Sequence, residues 1–147
     1  MAVQVQKEAF DVGAEVNCFT AGCKDAGAVV SFTGIVRNNA DGTLQRMQIE
    51  HYPGMTEKAL AGIEAQARDR WPLQDVLIIH RHGDLAPGEV IMMVATASKH
   101  RMAAFEAAEF LMDYLKSRAP FWKQEFTAQG SDWVAAKDVD EDALKRW

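Results

Sequence analysis

The stretch YLKSRAPFWKQE, Tyr114–Glu125, sets Lys116, Arg118 and Lys123 within eight residues with no acid among them. The chain as a whole leans the other way, with 16 Lys and Arg against 21 Asp and Glu in 147 residues and a formal net charge of −5. A tight cationic cluster in an acidic protein fits a small anion, whereas general nucleic-acid binding needs a broad basic face. Paired lysines also offer reactivity. A like charge nearby lowers a lysine's pKa, and the neutral amine then becomes accessible. Lys116 and Arg118 have a simpler reading as cations at a helix C-terminus, where the macrodipole favours them. Lys123 follows APFW, read as a turn whose bulky apolar groups anchor to the body and fix where the next side chain points.

A second basic group, Lys99–His100–Arg101, precedes the same helix. It falls where a strand hands over to a helix, with Ser98 as a plausible N-cap. Cations at a helix N-terminus oppose the dipole, and a phosphate or carboxylate there would relieve the conflict. Solvated surface charge is the plainer alternative. Arg37 ends another strand, beside a loop rich in Gly and Asn. His80 and His82 alternate on a strand, but no acid or cysteine nearby completes a metal set, so no metal is expected. His51, beside Tyr52 and Pro53, reads as structural, and Met92, Met93, Met102 and Met112 read as core. Cys18 and Cys23, the only cysteines, fit neither a four-ligand zinc site nor a CxxC pair. They read as reduced, partly buried thiols.

The elements that must position these residues follow from periodicity. VQVQ (Val3–Gln6) alternates like a strand, and residues from about 13 to 22 suit a short helix. Gly27–Arg37 is a strand with Val30, Phe32 and Gly34 on one face. NNADG (38–42) is a loop, and TLQRMQIEHY (43–52) a returning strand, so the two should form a hairpin. PGMTEKALAGIEAQARDRW is an amphipathic helix on Met55, Ala59, Ile63 and Ala67, with Leu60 beside them, stopped at Trp71 by Pro72. DVLIIHRHG and EVIMMVATAS are apolar strands joined across DLAPG. MAAFEAAEFLMDYLKS is a second helix with a core stripe of Phe105, Ala108, Met112 and Leu115. DWVAA suits a last short strand, before a charged tail ending in Trp147. The order, roughly β-α-β-β-α-β-β-α-β, means one α+β domain over 1–147 with a mainly antiparallel or mixed sheet. No GxGxxG or P-loop appears, so no nucleotide cofactor is called for. No apolar run is long enough for a membrane span and no secretory leader is evident, so a cytoplasmic protein is expected.

Five blocks carry a resemblance: FTGIVRN (32–38), EHYPGMTEKAL (50–60), HRHGDLAPGE (80–89), SKHRMAAFEA (98–107) and DYLKSRAPFWKQE (113–125). Together they resemble the large, catalytic subunit of molybdopterin synthase, and they are spread, in the family's order, over about two-thirds of the chain. The resemblance implies an α/β hammerhead fold and a sulfurtransferase with no cofactor of its own. The sulfur would come from the C-terminal Gly-Gly thiocarboxylate of a small ubiquitin-like subunit. The acceptor would be cyclic pyranopterin monophosphate, and the product the dithiolene of molybdopterin. The partners implied are that small subunit and a second copy of this chain, as a homodimer within a heterotetramer.

By motif, the catalytic lysines map to Lys116 and Lys123, with Lys123 closer to the thiocarboxylate. The anion-binding residues map to Arg37, His100 and Arg101, which should converge, and Gln124 and Glu125 should line the wall beside Lys123. The family pattern often has lysine where this chain has Ile35 and arginine where it has Gln124. Ile35 and Val36 are thus left with backbone contacts to offer. Lys137 is placed where it could reach across the dimer. Two rival readings stand beside this one. The first is a persulfide sulfurtransferase using Cys18 or Cys23, which needs a low-pKa thiol in an electropositive setting. The second is a non-catalytic phosphate-binding or interaction module.

Overall fold

The computed structural model describes residues 2–135 and 137–147. Along the chain come β1 (Val3–Gln6), α1 (Val12–Ala21), β2 (Ala28–Ile35), β3 (Arg46–His51), α2 (Met55–Arg70), β4 (Leu73–Arg81) and β5 (Gly83–Leu85). Then follow β6 (Val90–Ser98), α3 (Arg101–Arg118), β7 (Phe121–Thr127), β8 (Gly130–Trp133), α4 (Asp138–Ala143) and a 3-10 turn over Leu144–Arg146.

Strand β6 organises the first sheet because both of its faces are apolar. Met92 and Val94 point one way, Met93, Ala95 and Ala97 the other, and all five are buried. Such a strand must be covered on both sides. The sheet order is β1-β4-β6-β2, with β1 parallel to β4 and the other pairs antiparallel. On one face Phe19 of α1 and the following Cys23 pack on Leu77, Ile79, Met93, Ala95 and Ala97. On the other, Leu60, Ile63 and Ala67 of α2 and Phe110, Leu111 and Leu115 of α3 pack on Val76, Ile78, Met92 and Val94. The second sheet, β5-β3-β7-β8, is antiparallel throughout. The α+β class and the mixed pairing agree with the sequence reading.

Several local expectations fail for stated reasons. β2 and β3 do not form a hairpin: β2 pairs with β6 and β3 with β5 and β7, in different sheets. Alternation identifies a strand but does not name its partner. APFW is not a free-standing turn, since Phe121 opens β7. That entry is held by Thr56, fully buried at the start of α2, whose hydroxyl donates to the Pro120 carbonyl (3.2 Å) and accepts from the Tyr52 amide (2.9 Å). Gly54, at φ +84°, makes the bend that permits this, in a region costly for any residue with a Cβ.

Ser98 does not cap α3. It closes β6 and donates to the Pro72 carbonyl (2.9 Å), and His100 stands at the N-cap. Phe105, Met102 and Met55 are 59%, 71% and 53% exposed and so lie outside the core. In α3 the buried stripe is set by Ala104, Ala107 and Ala108, small residues that let the helix approach the sheet closely and turn Phe105 outward. The C-terminal tail is ordered. Trp147 meets Trp71 and Phe110 edge-on at 5.5 and 5.6 Å, Arg146 pairs with Glu109 and Asp113, and Arg118 pairs with Glu141 at 2.7 Å.

Candidate active site

Three strands supply a floor. Gly34 of β2 and His80 of β4 both face Met92 of β6 in register, so the three residues form a row across the sheet on the α2/α3 side. Gly34 leaves this floor low: a Cβ there would stand 3.2 and 3.3 Å from Cγ and Sδ of Met92. Helix α3 crosses above and brings Met112, Leu115 and Lys116 over the row. Lys123 comes in from the second sheet. It pairs with Ile49, which is 1% exposed, so its side chain takes the inward face of β7. The resulting cavity, about 80 Å³, is lined by Phe32, Gly34, Ile35, His80, Ile91, Met92, Met112, Leu115, Lys116 and Lys123. Both lysines named from sequence are therefore brought together from a helix end and a strand, in a cavity whose other lining residues, His80 apart, are apolar.

That enclosure acts on Lys123. Burial, reinforced by Lys116 and Lys137 and opposed by Asp140, lowers its pKa from 10.5 to about 8. A substantial neutral fraction then exists near physiological pH, where an ordinary lysine has almost none. Lys137, expected to cross to a second copy, lies close enough to Lys123 of its own chain to act on it. It stands at the N-cap of α4.

The remaining expected site residues divide. Ile35 lines the cavity and is 56% exposed. Val36 does not offer its backbone: its amide donates to the Glu89 carbonyl (2.9 Å) and its carbonyl accepts from the Gly88 amide (2.8 Å). Arg37 follows, exposed, just past the cavity end of β2. Alternation along β7 sends Gln124 to the face opposite Lys123, where its amide nitrogen donates to Ser131 Oγ (2.9 Å), so it does not line the wall. Glu125 shares the face of Lys123.

His100 and Arg101 do not converge with Arg37 inside one chain. They line a separate open cleft with Gly27, Ala28, Lys99 and Met102. Ala28 pairs with Ser98 at one end of β2 and Ile35 with Val90 at the other. The length of β2 therefore separates the two groups by about 25 Å, at 3.3 Å per residue. Arg101 and Lys116 likewise sit at opposite ends of α3, about 22 Å apart at 1.5 Å per residue.

The cysteines lie elsewhere. Cys18 is exposed on α1, and Cys23 is buried on the α1 side of the sheet, away from the lysines. Burial pushes the Cys23 thiol's pKa up, with Asp75 adding to it, which is the wrong direction for a nucleophile. Among the described residues no group of three or more His, Cys, Asp or Glu could hold a metal ion. No helix among them is long and apolar enough to cross a membrane. His80, Phe32 and Met112 were not named as site residues from sequence. The available signal was the alternation that puts Phe32 and Gly34 on one face; nothing local placed His80 beside a lysine more than 40 positions away.

A family model described as MoaE protein matches residues 5–118. A molybdopterin synthase catalytic subunit from Cereibacter sphaeroides is 64% identical over 147 residues, covering 100% of both chains, and so extends through Lys123. A molybdopterin biosynthesis MoaE protein from Burkholderia ambifaria has a solved structure with TM-score 0.84 and 49% identity, covering 100% of this chain and 98% of that one. A solved complex of subunits 1 and 2 of the molybdopterin-converting factor from Helicobacter pylori contains a chain alike in fold. Its TM-score is 0.78 at 21% identity, covering 94% of this chain and 92% of that one.

Proposed function

The chain belongs to the MoaE protein family, the catalytic subunits of molybdopterin synthase, and we propose that its cavity between Lys116 and Lys123 is where sulfur is transferred. The donor in this reading is the C-terminal thiocarboxylate of a small ubiquitin-like subunit, and the acceptor is cyclic pyranopterin monophosphate. The observation that carries it is the meeting of the two lysines in one small, mostly apolar cavity, with the pKa of Lys123 at about 8. A cavity this small suits a Gly-Gly tail, which has no side chains to accommodate. Its anionic end would be drawn from water toward fixed cations, which offset the desolvation. Lys123 then carries charge to the thiocarboxylate or moves a proton, and Lys116 keeps its partner's amine partly neutral. The solved complex of a chain of this fold with a second subunit supports a small-subunit partner.

The phosphate of the precursor belongs, in this reading, with Arg37, His100 and Arg101. Because one chain holds Arg37 and the His100/Arg101 pair at opposite ends of β2, a second copy must supply the pair to the lysine cavity. Phe32 and Ile35 on the edge strand β2, and Met102 and Phe105 on the outward face of α3, are exposed apolar side chains that such a copy would cover.

Two experiments test these statements. With the charged small subunit and precursor supplied, Lys123→Ala should form almost no molybdopterin; normal turnover would sink the assignment. Mixed dimers of Lys123→Ala with Arg101→Ala should recover activity at one site of the two. Their failure to exceed either parent would place Arg101 outside the partner's site. The persulfide alternative has no support in the position of either cysteine.

A further inference from the structure

His80 stands in the cavity floor with a role still to be assigned. Its side chain is 5% exposed, and its ring stacks on Phe121 with centroids 3.7 Å apart and planes 16° from parallel. Nδ1 lies 2.8 Å from the Arg81 carbonyl oxygen. A carbonyl oxygen can only accept, so Nδ1 carries the ring proton and Nε2 keeps a bare lone pair. Burial pushes the ring's pKa down to about 3. The nearby charges of Lys123, Lys116 and His82 add to this, and the Arg81 carbonyl opposes it. The imidazole is thus neutral, in a single tautomer, where Lys123 titrates.

Nε2 meets no donor among the described residues, yet it is not sealed. Ser117 Oγ is the one fully buried side-chain polar atom there without a partner. His80 lines the lysine cavity, and with Nδ1 turned to the Arg81 carbonyl, Nε2 is the nitrogen left to face it. Phe121 and Lys123 project from the same face of β7, two residues apart. The His80 ring and Lys123 line the same cavity, and the lysine's charge reaches the ring.

We propose that His80 is a positioning residue for Lys123: when ligand fills the cavity, Nε2 accepts a hydrogen bond from the lysine's Nζ and aims it at the reacting atoms. The proposal rests on the role given to Lys123 above. A neutral acceptor suits the task. A carboxylate in this place would also orient the amine, but its charge would favour the ammonium and hold the proton. The other groups that face Lys123 cannot substitute. Lys116 and Lys137 are cations without an acceptor, while Asp140, which already opposes the lowering of the lysine's pKa, and Glu125, on the same face of β7, are such carboxylates.

Two variants separate the acceptor from the packing. His80→Phe keeps a ring against Phe121 and removes Nε2, whereas His80→Gln keeps an acceptor at the distal position. With the charged small subunit and precursor, His80→Phe should lower kcat about two- to tenfold, the range for one hydrogen bond between neutral groups. KM for both substrates should stay within about twofold, and His80→Gln should recover most of kcat. An unchanged kcat in His80→Phe, or a Gln variant as impaired as the Phe variant, overturns the proposal. Nitrogen-15 NMR of the unsubstituted protein gives a second reading that needs no variant at His80. The ring should show a protonated Nδ1 and a bare Nε2 from pH 5 to 9, and in the ligand-bound protein the Nε2 signal should move on Lys123→Ala. A ring protonated at Nε2, or a signal indifferent to Lys123, refutes it. Active His80→Phe beside inactive Lys123→Ala fails this inference alone, while active Lys123→Ala fails the lysine reading beneath it.

Discussion

Replacing Lys123 by methionine should make the protein more stable while abolishing its turnover. The side chain is held mostly out of water beside another lysine, and a fall in pKa from 10.5 to about 8 measures how strongly the fold disfavours its charge. That fall corresponds to roughly 3 kcal/mol. The pH dependence fixes the sign. Below pH 8 both folded and unfolded states hold the proton, so the full penalty stands. Between 8 and 10.5 the unfolded chain binds more protons than the folded one, and stability rises with pH. Above 10.5 the penalty is gone. Methionine fills a similar volume with no charge to bury, so at pH 7 the variant should gain up to about 3 kcal/mol, and the gain should shrink toward zero by about pH 10.5. Urea unfolding of both proteins at pH 7 and pH 10, at one fixed protein concentration, measures the difference. A methionine variant no more stable than the parent at pH 7, or a gap that ignores pH, would refute the account of Lys123 as a charge held against its environment.

Lys116→Ala removes the largest charge effect on Lys123, so the midpoint expected near pH 8 in the pH–rate profile should move to higher pH; an unmoved midpoint would mean the lysines are not coupled. Phe110→Ala, at a site with no exposure and edged by Trp71, Tyr114 and Trp147, should cost about 3–5 kcal/mol in chemical unfolding. The double variant Cys18→Ser, Cys23→Ser should retain turnover, measured with the small subunit supplied; its loss in a folded protein would revive the persulfide route. Gln124→Ala should leave turnover within about twofold, because its side chain points away from the cavity toward Ser131, an exposed contact of small energy.

Most elements were legible in the sequence because each rests on a local pattern. The alternation in VQVQ and EVIMMVATAS, the four-residue spacing of Ala59, Ile63 and Ala67, and the stop at Pro72 are properties of neighbours along the chain. Lys116 in the last turn of α3 was read in the same way. Lys123 stands out in the sequence through its motif, although the residues read as a turn before it open β7. Trp147 reads as the end of a charged tail because no sequence pattern reveals that an indole 76 positions from Trp71 and 37 from Phe110 packs on both.

The site itself was decided by pairings of high sequence separation. Gly34, His80 and Met92 form a row only because β2 and β4 flank β6, and Lys123 turns inward only because β7 pairs with β3. The same register sends Gln124 outward, ties up the backbone of Val36, and parts Arg37 from His100 and Arg101. Residue type set what each group could do, whether to carry charge, accept a proton or fill space. Strand pairing set which of them share a face and how little water reaches them, and desolvation of that kind gives Lys123 a pKa that no arrangement of neighbours in the sequence could specify.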